Sequence, residues 1–182
     1  MSPVRRHRLA GLALAGLVWL ADQLVKRAMI GPLHLPEVGV IDLLPFFDLR
    51  WAMNFGVSFS LFSASSDESR WLLVAMTGAI AGGVLVWLLR ERGRAECLGL
   101  GMVLGGALGN IHDRVVLGFV VDYADLHFGD LRPFQIFNLA DAAISVGVLI
   151  ILARSFLSGD KRADDQREAD GDAGAGHVPS ES

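Results

Sequence analysis

The side chains able to do chemistry in this chain are few, and their spacing groups them. Asn110, Asp113 and Arg114 stand at i, i+3 and i+4, and Asn138 and Asp141 at i and i+3, so on helices each set shares one face. Asp22 and Asp122 add carboxylates from two further stretches. No HExxH pairs any of the five histidines, which argues against a zinc protease, and the lone Cys97 excludes a multi-cysteine metal site. No GxSxG or serine–histidine arrangement presents itself. Carboxylates remain. Two of them held close in a low dielectric cannot both ionise, and share one proton. The ionised member can draw a proton from water while the protonated one donates to a carbonyl, which is chemistry suited to peptide hydrolysis. Spacing alone does not choose which two.

The elements that must position these groups are apolar helices. The chain is 52% hydrophobic and 20% charged over 182 residues, with a mean hydropathy of +0.44. Four stretches are candidates to cross a bilayer, at about 9–29, 71–89, 97–117 and 134–156, each near the roughly 20 residues that a hydrocarbon core requires. Lipid cannot satisfy bare backbone, so all four are read as helices. The expected fold class is an all-α membrane protein of four transmembrane helices with a small extracytoplasmic β-rich subdomain. That subdomain is built from outer segments 31–70 and 118–133, where Phe47–Met53 and Phe119–Phe128 alternate like strands and Asn54-Phe55-Gly56 reads as a turn. Gly101, Gly105 and Gly109 form a stripe along which another helix backbone can approach closely.

Charge sets the orientation. Residues 1–157 hold 13 basic and 13 acidic side chains, whereas residues 158–182 hold three basic and seven acidic ones and read as a disordered acidic tail. This neutral body offers no footprint for nucleic acid. Arg5, Arg6 and Arg8, then Arg90, Arg92 and Arg94, then Arg154, Lys161 and Arg162 flank alternate ends of the spans, which puts both termini in the cytoplasm. The stretch from Arg5 to Leu20 also resembles a secretory signal, but Asp22 belongs with the polar set, so the first span is expected to be retained. With helices alternating in direction, Asp22, Asn110, Asp113, Arg114, Asp122, Asn138 and Asp141 all fall near one level, just below the outer surface.

Five blocks occur in order: Asp22-Gln23-x-x-Lys26; Asn54-Phe55-Gly56-Val57-Ser58-Phe59-Ser60; Gly105-Gly106-Ala107-Leu108-Gly109-Asn110-x-x-Asp113-Arg114; Val120-Val121-Asp122-Tyr123; and Phe137-Asn138-Leu139-Ala140-Asp141. Together, over residues 9–157, they resemble the lipoprotein signal peptidase (signal peptidase II) family. The resemblance implies an aspartyl intramembrane endopeptidase of the bacterial cytoplasmic membrane, with its active site near the outer leaflet. Such an enzyme removes signal peptides from diacylglyceryl-modified prolipoproteins, cutting on the N-terminal side of the lipidated cysteine. It implies Asp122 and Asp141 as catalytic, with Asp22, Asn54, Gly56, Asn110, Asp113, Arg114 and Asn138 in support, and neither metal nor organic cofactor. Diacylated prolipoproteins and membrane lipids are the expected partners, and a monomer the expected state. Tyr123 stands where the family usually has Phe, a departure expected to change little.

Each residue also has a plainer reading. Asp141 could simply cap a helix, Asp122 could be a loop carboxylate with Asp125 as its competitor, and Asn54 could be only a turn residue. Asp22 is expected to pair with a backbone amide or with Arg114, and Asp125 is expected to be dispensable. His112 and His127 read as ordinary interface residues. A small transporter would place such polar groups nearer mid-bilayer, and a lipid phosphatase would need a nucleophile that the sequence does not offer.

Overall fold

The computed structural model describes residues 2–56, 67–129 and 131–175. Four long helices carry the fold. Helix α1 (Pro3–Ile30) starts at Ser2, whose Oγ accepts the Arg5 N–H at 3.4 Å, with Pro3 supplying a preset φ at the first position. A short α2 (Leu35–Val38) leads into strands β1 (Val40–Leu44) and β2 (Phe47–Asn54). Helix α3 (Asp67–Arg90) has Asp67 and Glu68 in its first turn and Arg90 in its last, each sign suited to the helix dipole. Helix α4 (Arg94–Val116), strand β3 (Val120–Leu126) and helix α5 (Leu139–Ala175) complete the chain.

Helix α4 is the axis of the bundle and packs against α1, α3 and α5. The glycine stripe makes this possible. A Cβ on Gly101 would lie 2.3 Å from the Gly11 carbonyl oxygen, and one on Gly105 would lie 2.5 Å from that of Ala15, so only glycine lets α1 and α4 come this close. Among the described residues, three helices are long and apolar enough to cross a membrane, namely Pro3–Ile30, Asp67–Arg90 and Leu139–Leu157. Helix α4 is not among them, which departs from the four expected spans. The reason lies in packing. Its neighbours already cover much of it, so it can carry glycines and, at one end, Asn110, His112, Asp113 and Arg114. Outer faces of the other three turn Leu17, Leu72 and Leu149 outward, as lipid contact requires.

The strands form one antiparallel sheet, in order β1-β2-β3. Met29, Leu35, Leu49, Val121, Tyr123 and Ala124 pack beneath it as a small core seated on the end of α1. Both expected strands are present, while β1 lacks a clean alternation and was not anticipated. The last helix begins at Leu139 rather than near residue 134, because Phe137 first bridges to Ala124 across the sheet. Its backbone also continues to Ala175. Residues 57–60 of the second motif block lie outside the described residues.

The two ends of the bundle differ. At one, His7 and Arg8 reach the α3–α4 connection: Arg8 donates to the carbonyls of Arg90 at 2.9 Å and Glu91 at 2.7 Å, capping the end of α3. Arg154 pairs with Glu96 at this same end, 3.2 Å apart. The polar residues gather at the other end, beneath the sheet.

Candidate active site

Asn138 opens α5, and with Asp141 it closes a reciprocal cap. Its Oδ1 accepts the Asp141 N–H at 2.9 Å, while Asp141 Oδ2 accepts the Asn138 N–H at 3.3 Å. This is the plain capping role that the sequence allowed, and it uses only one of the two Asp141 oxygens. The other, Oδ1, accepts from Asn110 Nδ2 at 2.8 Å. Asn138 Nδ2 in turn donates to Asp122 Oδ1 at 2.6 Å and contacts Asn110 Oδ1 at 3.2 Å. Two amides therefore tie the carboxylates of Asp122 and Asp141 into one hydrogen-bonded group drawn from α4, β3 and α5.

Asn54 completes it from β2. Its Oδ1 accepts the Gly56 N–H at 2.8 Å, an Asx turn that relies on Gly56 at φ +96° and aims Nδ2 at Asp122 Oδ2, 3.0 Å away. Asp122 is 2% exposed. Burial pushes its carboxyl up to about 6, the nearby Asp141 charge adds to the rise, and the Asn54 and Asn138 donors oppose it.

A second set of buried charges holds this group in place. Lys26 Nζ lies 2.8 Å from Asp22 Oδ2, 2.7 Å from Asp113 Oδ2 and 3.3 Å from Asn110 Oδ1. Asp22 Oδ1 accepts the Ala140 N–H at 3.0 Å and Asp113 Oδ2 accepts that of Val121 at 3.2 Å, so α1 and α4 grip the backbone beside Asp141 and Asp122. Gln23 Nε2 adds a bond to Asp113 Oδ1 at 2.9 Å. Asp22 thus finds the expected backbone amide, but its cation is Lys26 and not Arg114. The Arg114 Nη1 instead donates to the Asn110 carbonyl at 3.3 Å, beside the group rather than within it. Lys26 and Gln23 stand in the first motif block, but which carboxylates they meet is decided by packing.

Two other expectations need correcting. Tyr123 is not equivalent to Phe, because its hydroxyl accepts the Leu139 N–H at 3.1 Å and satisfies a donor at the start of α5. Asp125 is not a spare loop carboxylate. It is 1% exposed and pairs with Arg50 and Arg132. Of the interface histidines, His112 stacks edge-on to Trp19 and His127 lies 2.9 Å from Asp48. Among the described residues no three His, Cys, Asp or Glu side chains are grouped as metal ligands would be.

An open cleft of about 610 Å³ runs over the sheet from Asn54, Gly56 and Asp122 to Arg50, Asp125 and Arg132, with Phe134 and Ile136 on its apolar wall. An apolar groove of about 410 Å³ lies on the bundle side, between Leu17, Met102 and Leu139–Val146. A helical bundle with lipid-facing surfaces, a carboxylate pair whose Asp122 is buried and a cleft that reaches Asp122 define a membrane enzyme. Two solved structures share this fold, both described as a bacterial membrane enzyme determined by the in meso method. The one at 2.3 Å resolution superposes with a TM-score of 0.70 at 22% identity, covering 83% of this chain and 90% of the other. The one at 1.9 Å gives 0.68 at 24%, covering 79% and 90%. Residues 14–157 match the family Signal peptidase (SPase) II. The lipoprotein signal peptidase of Rhizorhabdus wittichii is 51% identical over 83% of this chain and 88% of its own length. That of Sphingopyxis alaskensis is 50% identical over 83% and 87%. The chain belongs to the signal peptidase II family.

Proposed function

We propose that this chain is an intramembrane aspartyl endopeptidase that removes signal peptides from diacylglyceryl-modified bacterial prolipoproteins, cleaving on the N-terminal side of the lipidated cysteine. Asp122 and Asp141 are its catalytic pair. The observation that carries this reading is the shared scaffold of Asn110 and Asn138, which holds both carboxylates in one group at the end of a membrane bundle. All four long helices cross the bilayer, both termini face the cytoplasm, and the arginine-rich end of the bundle lies there too.

In this reading the proton that the pair shares sits on Asp122, the member whose carboxyl burial raises. Asp141, the less enclosed member, draws a proton from the attacking water as that water adds to the scissile carbonyl, while Asp122 gives its proton to the carbonyl oxygen. The tetrahedral intermediate then collapses. Asp141 returns its proton to the leaving nitrogen and Asp122 recovers one from the hydroxyl, so the pair ends as it began. Asn54 and Asn138 keep Asp122 aimed, and Asn110 does the same for Asp141. The lipid modification anchors the cysteine at the membrane surface, the level at which the polar residues collect.

The test is cleavage of a diacylated prolipoprotein by the purified full chain, wild type beside Asp141→Asn. Cleavage immediately before the lipidated cysteine, lost in the variant, is the expected result. Undiminished cleavage by Asp141→Asn would remove the dyad from the mechanism. An uptake activity without proteolysis would replace the reading altogether.

A further inference from the structure

The far end of the cleft carries charges for which the carboxylate pair has no use. Asp125 sits on β3 three residues beyond Asp122, about 10 Å at the usual strand rise, in the direction away from the end of α4. Arg50 Nε lies 2.9 Å from Asp125 Oδ2, and Arg132 Nη1 meets the same oxygen. Each guanidinium gives Asp125 one nitrogen and keeps further N–H donors for other partners. Both arginine side chains are exposed, at 36% and 43%, and both line the cleft that reaches Asp122. Two guanidinium groups thus face one carboxylate, while the cross-strand neighbour Asp48 lies against His127.

The backbone accounts for how Arg50 comes to face this way. Between the pairs Leu49↔Ala124 and Ala52↔Asp122, β2 advances three residues while β3 advances two. The extra residue falls at Arg50-Trp51, and a bulge of this kind re-aims side chains beside a site. Arg132 arrives separately, from the segment between β3 and α5. A buried acid that gathers two arginines from different elements onto one wall of a cleft is a built feature, because burying Asp125 without them would leave an uncompensated charge.

We propose that Arg50 and Arg132, tied together by Asp125, form a subsite for an acidic side chain of the substrate on the mature side of the scissile bond, about three residues past it. The inference rests on the peptidase reading above. If the peptide bond is cut at Asp122 and Asp141, the signal segment occupies the bundle side, and the chain after the cysteine leaves over the sheet. An extended chain covers the separation from Asp122 to Asp125 in about three residues. The ligand chemistry is a carboxylate, which a planar guanidinium binds through paired N–H donors.

Diacylated prolipoprotein peptides with Asp, Asn or Lys at the first, second or third position after the cysteine test this with the purified full chain in neutral lipid. Asp at one of these positions should lower KM roughly two- to fivefold relative to Asn, the range of a partly exposed ion pair, and Lys should raise it. The preference should shrink as salt is raised. The double variant Arg50→Gln/Arg132→Gln should reduce the ratio between Asp and Asn peptides to near one, and Arg50→Glu/Arg132→Glu should turn the preference toward Lys. Equal KM for Asp and Asn peptides that the wild type does cleave overturns the subsite while leaving the peptidase reading intact. So does a preference that survives in the double variant. A KM that ignores peptide charge but falls as anionic phospholipid is added would mean that the arginines serve lipid phosphates instead, which also overturns it. If no diacylated peptide is cleaved at all, the peptidase reading fails and takes the subsite with it.

Discussion

Asn138 Nδ2 stands 2.6 Å from Asp122 Oδ1, and the Oδ1 of the same amide accepts the backbone N–H of Asp141 at 2.9 Å. One side chain therefore sets the position of both carboxylates relative to each other, and the cap of a helix becomes the frame that holds them.

If that pair works as a unit, its members are not additive. Asp122→Asn and Asp141→Asn should each lower kcat by about 10²-fold or more, since an amide can neither take up the proton of water nor return it. The double variant should be little worse than either single one. Single-turnover cleavage rates check this, and a double variant whose loss equals the product of the single losses would argue for two independent groups.

Proton binding at Asp122 has a calculable sign. Its carboxyl is raised from 3.8 to about 6 by burial, so the folded chain holds a proton that the unfolded chain releases between those two pH values. Stability should fall as pH rises through that window. Thermal unfolding of wild type and Asp122→Ala should reveal it: the wild type's standing relative to the variant is better at pH 4 than at pH 7. The same proton should shape activity, with kcat/KM declining above about pH 6 as the free pair ionises fully. A flat difference in melting temperature across this range would show that Asp122 is not the group that titrates.

Lys26 is the one cation between the buried Asp22 and Asp113. Lys26→Met should destabilise the fold by about 3–5 kcal/mol, because two carboxylates would be left without a counter-charge. Adding Asp22→Asn to that variant should restore part of the loss. Melting temperatures in detergent measure both effects. A Lys26→Met protein as stable as wild type would show that the network is not needed for folding.

The glycines of α4 and α3 should respond in opposite ways. Gly105→Ala forces a methyl group onto the Ala15 carbonyl, 2.5 Å away, and should cost about 1–3 kcal/mol. Gly82→Ala on α3 meets nothing within 4 Å and should be neutral or stabilising by up to about 1 kcal/mol, the difference in helix propensity. Comparing unfolding of the two variants tests whether close α1–α4 approach holds the bundle together.

Much was legible in the residues themselves. The apolar runs specified the long helices, because chain that cannot hydrogen-bond to water must bond to itself. Alternation marked β2 and β3, and the i, i+3 and i+4 spacings placed Asn110, Asp113 and Arg114, like Asn138 and Asp141, on common faces. The stripe Gly101, Gly105, Gly109 announced a close helix contact. What needed the tertiary structure was pairing. Nothing local says that Lys26 rather than Arg114 neutralises Asp22, that the Tyr123 hydroxyl receives a helix-start N–H, or that Asp125 gathers Arg50 and Arg132. Those partners lie far apart in sequence and meet only when α1, α4, the sheet and α5 pack. Helix α4 shows the same division: its sequence reads as a span over about 97–117, and only the packed bundle, with three neighbours around it, shows why glycines and polar residues can stand there. Local sequence sets what each segment can form, and packing decides which polar atoms end up within hydrogen-bond reach, because that reach is a few ångströms and a one-residue bulge is enough to change it.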